Sequence, residues 1–225
     1  MKINFIDLGR MSYAKALDVQ KSFVETVGSG ETDNTLLLVE HPPVLTLGRR
    51  TERSNILASD EALAAEGVEL FDVERGGDVT YHGPGQIVGY PILRLKEFGA
   101  DLHKYVSDIE EVFTRLLLNE YGIKTKSDKG KYTGVYIDSR KITAIGIAVR
   151  KWVSFHGFAF NVKTNLKHFD WIIPCGLADR SVTSVEKELG REVDFEQLKA
   201  LTAGYFAEVF GVELVRREAG EFIDG

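Results

Sequence analysis

A chain of 225 residues, 44% hydrophobic and 28% charged, with five prolines and a net charge of −6, has the make-up of a soluble globular protein. That balance excludes a disordered or low-complexity polymer and, taken over the whole chain, argues against a nucleic-acid binder. No window approaches the roughly 18 apolar residues of a membrane span, so no membrane association is expected.

The N-terminus, MKINFIDLGRMSYAKALDVQ, shows neither a signal core nor a transit-peptide pattern. The single cysteine, Cys175, excludes an intrachain disulfide and suggests a reducing cytoplasm. One domain spanning 1–225 is the expectation from length.

INFIDL and TLLLVEH read as strands flanking an amphipathic helix whose inner stripe is Ala16, Leu17, Gln20, Phe23, Val24 and Val27. VLTLG follows two prolines as a strand, a short helix opens near Ser59, and VELFDV and QIVGYPIL are further strands. DLHKYVSDIEEVFTRLLLNEYG predicts the longest helix, with Leu102, Val106, Ile109, Phe113, Leu116 and Leu117 inward and Gly122 as its stop. TGVYID, KITAIGIAV and WVSFHGFAFNV are strand-like runs joined by DSR and RK, which predicts antiparallel hairpins. Thr183-x-x-Glu186 and Asp194-x-x-Gln197 are capping patterns for two more helices, the second reaching about Phe210, and GVELVRRE is a final strand. Clustered strands with helices outside them define an α+β fold on a mixed or antiparallel sheet.

Strict alternation puts Ile142, Ala144, Gly146 and Ala148 on one strand face, and Val153, Phe155, Gly157 and Ala159 on another. Such small-residue faces either leave room for a flat or long ligand, such as an acyl chain, or receive a closely packed helix. The same alternation turns Lys141 to the opposite face from Ala144 and Gly146. From Lys124 to Lys151 there are eight basic residues against two acidic, an asymmetry that suits an acidic partner or equally a set of solvated strand edges.

RGGDVTYHGPGQ, residues 75–86, lacks the spacing of a Walker or dinucleotide motif. Its glycines suit either a tight turn or a close backbone approach to a ligand, with Arg75 and His82 supplying a fixed and a titratable group. Cys175, between a proline and a glycine, is a small buried hydrophobe or a nucleophile. As a nucleophile it needs a neighbouring cation: lowering a thiol pKa by two units takes about 2.7 kcal/mol. An ammonium about 4 Å away supplies up to roughly 4 kcal/mol at an effective dielectric near 20. His82 and His156 are candidate general bases, ahead of His41, His103 and His168. Dispersed histidines and one cysteine give no metal-ligand spacing.

RGGDVTYHGPGQ, SRKITAIGIAVRKWVSFHGFAFNV and IIPCGLADRSVTSV together, with EHPPVLTLGRR upstream, resemble the signature of the bacterial octanoyltransferases, the lipoyl(octanoyl) transferase or LipB family. The resemblance implies a biotin/lipoate protein ligase-like fold. It implies transfer of octanoyl from octanoyl-acyl carrier protein to a lysine of lipoyl domains, in 2-oxoacid dehydrogenase E2 subunits and the glycine cleavage H protein, with no metal or soluble cofactor.

Residue by residue, it assigns Cys175 as the acyl-thioester nucleophile and Lys141 as its dyad partner. Substrate binding falls to Arg75, Gly76, Gly77, Asp78, Val79, Thr80, Tyr81 and His82, to Ala144, Ile145 and Gly146, and to Gly157, Phe158 and Ala159. His82 then becomes a supporting residue rather than a base. The competing readings are an ATP-dependent lipoate or biotin ligase and a non-catalytic module that binds acyl carriers.

Overall fold

The computed structural model describes residues 1–127, 133–173 and 181–222. The chain opens with β1 (Lys2–Arg10), α1 (Tyr13–Ser29), β2 (Thr35–Glu40) and β3 (Val44–Leu47), followed by α2 (Asp60–Ala65), β4 (Glu69–Asp72), β5 (Thr80–His82) and β6 (Gln86–Ile92). Then come α3 (Leu102–Tyr121), β7 (Lys126–Ser127), β8 (Gly134–Ile137), β9 (Arg140–Arg150) and β10 (Val153–Asn161). The described elements end with α4 (Val185–Leu189), α5 (Phe195–Phe210) and β11 (Glu213–Arg216).

Eight strands form a mixed sheet in the order β11-β1-β2-β6-β10-β9-β8-β7, parallel only at β11-β1 and β1-β2. A smaller sheet runs β4-β3-β5. Helices α3 and α5 cover one face of the large sheet, where Phe113 and Phe206 meet Phe158, Phe160 and Ile142. On the other face α1 lays Ala16, Phe23 and Val27 against Val88, Tyr90, Phe155 and Ala159. The small sheet has its own core of Leu45, Leu63, Val79, Tyr81 and Phe169.

Local chemistry explains most boundaries. Ser12, Ser59, Asp101 and Asp194 each accept a hydrogen bond from a first-turn backbone N–H, and Gly122 ends α3 in the left-handed conformation. Three details differ from the sequence expectation. Leu102 is exposed, because Asp101 is the N-cap and the buried stripe of α3 begins only at Tyr105. Ser184 rather than Thr183 caps α4, since the Thr183 hydroxyl is directed to the Glu188 carboxylate. In α1, Tyr13 and Val19 are buried where Leu17 is only partly so.

The most consequential difference lies in β9. Thr143 pairs with Val135 and Lys141 with Tyr136, so Ile142 is an extra residue, a bulge, in the β8–β9 ladder. The bulge sends Ile142 into the α3/α5 core and returns Lys141 to the face that carries Ala144 and Gly146. Strict alternation across 141–144 is therefore wrong, and its cause is visible. The Lys141 N–H donates to Ser181 O and its carbonyl accepts from Thr183 N–H, both at 2.9 Å, so its backbone groups are engaged outside the regular ladder.

Candidate active site

Between the large sheet and the small sheet with its 75–79 loop lies a cavity of about 230 Å³. Every predicted binding residue borders it except Tyr81. Tyr81 points into the small-sheet core, where its hydroxyl meets His168 Nδ1 at 2.7 Å and its ring packs edge-on to Phe169 and Trp171. Lys141 borders the cavity too, whereas Cys175 lies outside the described residues.

The glycine-rich stretch is loop in its first half and strand in its second, with Gly83–Gly85 making the turn from β5 into β6. Arg75 holds the loop together. Its guanidinium donates to Thr46 O at 2.7 Å, Thr46 Oγ1 at 2.8 Å and Asp78 O at 2.7 Å. The Gly76 N–H donates to Ile147 O of β9 at 3.0 Å, fastening the loop across the large sheet.

The small residues are explained by these approaches. A Cβ on Gly146 would lie 3.1 Å from both Arg75 Cδ and Gly76 O; one on Gly157 would lie 2.2 Å from Gly89 O. The space beside Gly146 is thus taken by the loop, and that beside Gly157 by strand β6. Helix α1 packs against the Phe155 and Ala159 end of this face, and Ala144 and Ala159 also border the cavity.

A directed chain of hydrogen bonds runs from the loop to the lysine. Asn161 Nδ2 donates to Thr183 O at 3.0 Å, which leaves Asn161 Oδ1 to accept from Gln86 Nε2 at 2.9 Å. Gln86 Oε1 then accepts from His82 Nδ1 at 2.8 Å, so the backbone carbonyl at one end fixes the tautomer at the other. His82 Nε2 is left to accept from Thr46 Oγ1 at 3.5 Å, and the Thr183 N–H completes the connection to Lys141 O.

Nearby, His41 donates through Nδ1 to Met11 O and accepts from Tyr90 OH, both at 2.8 Å. Burial pushes the pKa of His82 down to about 3, aided by the charges of His41 and Arg75. Burial likewise takes His156 to about 3 and His41 to about 4. All three are neutral near pH 7, and groups so weakly basic make poor general bases.

Lys141 reaches along the sheet from β9. Its Nζ donates to Thr133 O at 3.4 Å and lies 5.3 Å from the centre of the Tyr136 ring. The strand segment that meets it, Ser181–Thr183, follows the stretch containing Cys175. On the other side of that stretch, Ile173 N–H donates to Asn55 O at 2.8 Å.

Among the residues missed in the sequence reading are Tyr13, Thr46, Gln86, Val88, Tyr90 and Asn161, all but Thr46 bordering the cavity. Most are single polar residues within apolar strands, a weak signal; Gln20, inside the apolar stripe of α1, was a stronger one.

The described residues of the basic segment do not form one surface. Arg140 pairs with Glu188 and Asp138, and Arg150 with Glu74. Lys126 and Lys151 stand near opposite ends of the 11-residue β9, roughly 35 Å apart at about 3.3 Å per residue. Lys129 and Lys131 lie outside the described residues. Among the described residues there is no helix long and apolar enough to cross a membrane.

The mixed sheet with its flanking helices is the lipoate and biotin protein ligase fold. It superposes on a lipoate-protein ligase A bound with ATP at a TM-score of 0.78, with 14% identity over 97% of this chain and 89% of the other. Biotin protein ligase from Aquifex aeolicus gives a TM-score of 0.53 at 15% identity, over 94% and 70%. Residues 12–207 match the lipoyl protein ligase A/B catalytic domain, and the chain belongs to that family. A relative from Caldicellulosiruptor saccharolyticus, 54% identical over 95% of this chain and 91% of its own length, is named octanoyltransferase.

Proposed function

We propose that the chain transfers an octanoyl group from the thioester of octanoyl-acyl carrier protein to a lysine of a lipoyl domain, by way of an acyl-thioester on Cys175. The observation that carries this reading is Lys141. Its side chain enters a cavity walled by Ala144, Gly146 and Ala159, and its backbone is bonded to the segment that follows Cys175.

In the first step the Cys175 thiolate attacks the donor carbonyl and the donor's carbon–sulfur bond breaks. The carrier thiolate leaves and takes up a proton from the Lys141 ammonium, which leaves that amine neutral for the second step, in a nearly isoenergetic exchange. In the second step the recipient lysine amine attacks the new thioester. Its nitrogen yields a proton to Lys141, an amide forms, and Cys175 departs as the thiolate, so the downhill step comes last. Burial of six methylenes at about 0.8 kcal/mol each gives roughly 5 kcal/mol for selecting an eight-carbon chain over a much shorter one. Lipoyl domains of 2-oxoacid dehydrogenases and the glycine cleavage H protein are the acceptors this reading implies, in the cytoplasm, with the whole chain acting as one catalytic unit.

A second reading is favoured by the fold likeness to an ATP-bound ligase. A ligase would activate free octanoate with ATP and need no cysteine. Relatives at 44–54% identity named octanoyltransferase, against 14% for the ligase structure, support transfer. Intact-mass measurement with octanoyl-acyl carrier protein tests the choice. A hydroxylamine-sensitive octanoyl adduct is expected on wild type, removed by an apo lipoyl domain and absent in Cys175→Ser. ATP-dependent use of free octanoate surviving Cys175→Ala would reverse the choice. Tight carrier binding with no adduct and no turnover would make the chain a binding module.

A further inference from the structure

His156 has no part in the reaction above, yet three observations set it apart. It lies within β10 with φ at 54°, the left-handed region that a non-glycine residue seldom occupies in a strand. The residue borders the cavity while only 3% exposed. Its Nε2 is buried without a hydrogen-bond partner, and so is Nε2 of Gln20, whose Oε1 accepts from the His156 N–H at 2.9 Å. His156 thus brings a polar group to the cavity at the expense of backbone strain, with the Gln20 amide behind it, between the His156 N–H and Tyr90.

Strand register locates that place. Lys141 Nζ, bonded to Thr133 O, sits level with Ala144 and Ile145, because Gly134 pairs with Ala144. His156 pairs with Ile147, farther along and on the other side of β9. The offset is ~8 Å along the strands and ~10 Å across them, roughly 13 Å in all. An eight-carbon chain measures ~9 Å from carbonyl to methyl at ~1.25 Å per bond. Allowing ~3 Å between the reacting carbon and the group beside it, the methyl ends ~1 Å short of the level of His156.

We propose that His156 and Gln20 form a polar end wall that fixes acyl-chain length by holding a water molecule which a longer chain must displace. The inference rests on the octanoyl-transfer reading. An octanoyl methyl stops short of the wall. A decanoyl chain, ~2.5 Å longer, pushes methylenes against His156, whose Nε2 has no protein partner, and the loss of its water is uncompensated.

The test uses acyl-carrier protein loaded with six-, eight-, ten- or twelve-carbon chains, with kcat/KM for transfer to a lipoyl domain as readout. Wild type should peak at eight carbons. His156→Gly, which removes the ring and suits the left-handed backbone, should raise the ratio of ten- to eight-carbon transfer at least tenfold. Gln20→Leu, which removes the second polar atom from a helix, should raise the same ratio at least threefold. His156→Asn, polar and tolerant of positive φ, should keep the eight-carbon preference. Ratios within twofold of wild type in either His156→Gly or Gln20→Leu would overturn the end wall. A wild type that transfers no chain length would overturn the octanoyl-transfer reading, and the end wall with it.

Discussion

Lys141 and Val182 are joined as a parallel bridge: the lysine N–H donates to Ser181 O and its carbonyl accepts from Thr183 N–H. The candidate catalytic lysine is therefore fixed at its backbone to the segment that follows the candidate nucleophile. Arg140 and Glu188 reinforce the joint, with Arg140 Nε donating to Glu188 Oε1 at 2.9 Å while Thr183 Oγ1 bonds the same carboxylate.

Glu188→Ala removes that reinforcement and leaves the partly buried Arg140 and Thr183 without their shared acceptor. Hydrogen bonds to a charged group contribute roughly 1.5–3 kcal/mol, so a Tm drop of about 4–8 °C is expected. Acyl transfer measured well below the melting transition should fall several-fold, because the Ser181–Thr183 segment loses a tether next to Lys141. Full activity in a destabilised variant would show that the clamp serves stability alone.

The bulge at Ile142 gives a paired prediction. Inserting one residue between Val135 and Tyr136 supplies the missing partner for Ile142 and restores alternation, which turns the Lys141 side chain away from the cavity. Transfer should drop more than about 100-fold, the order expected on losing a positioned acid–base group, with the far-UV circular dichroism retained. Deleting Ile142 instead keeps Lys141 on the cavity side and removes a fully buried side chain, costing roughly 2–5 kcal/mol of stability. That variant should transfer acyl groups at low temperature. The opposite ranking of the two would refute the bulge as the device that aims the lysine.

These outcomes bear on what a sequence reading can recover. Helix stripes and strand alternation located the elements, since burial on one face imposes the periods that define them. The bulge was not recoverable, because its origin is a hydrogen-bonding partner 41 positions away, at Val182, that diverts Lys141 from its ladder. Residue types alone did not distinguish Tyr81, directed into the small-sheet core, from His82, directed to the cavity; pairing in a three-residue strand decides it. Arg75 was legible as a fixed positive group, but not as the brace whose donors go to Thr46 and Asp78. The glycines were legible as sites of close approach, although what approaches Gly146 is the chain's own loop.

The presence of one cysteine makes thiol reactivity a clean probe of the proposed dyad. If Lys141 stabilises the Cys175 thiolate, Lys141→Met should slow iodoacetamide alkylation near neutral pH by about 10–100-fold. The midpoint of its pH profile should move toward the ordinary thiol value of about 8.5. Loss of one to two pKa units corresponds to about 1.4–2.7 kcal/mol, within reach of a single ammonium. An unchanged profile in the variant would remove Lys141 from the first step and confine it to the second.

The buried histidines impose a pH dependence on stability whose sign follows from their depressed pKa values. His82 and His156 at about 3, and His41 at about 4, are neutral in the folded chain, whereas unfolded they titrate near 6.5. Between those values the unfolded chain binds more protons, so their contribution is complete above pH 6.5 and is lost progressively as pH falls. At pH 5 the loss is up to about 2 kcal/mol per histidine, measurable as a lower urea midpoint than at pH 7.5. His82→Gln removes one such group while keeping a hydrogen-bonding side chain beside Gln86 and Thr46. The difference in unfolding free energy between pH 7.5 and 5 should then shrink by about the single-histidine amount. An undiminished difference would mean that His82 is protonated, or solvated, in the folded protein.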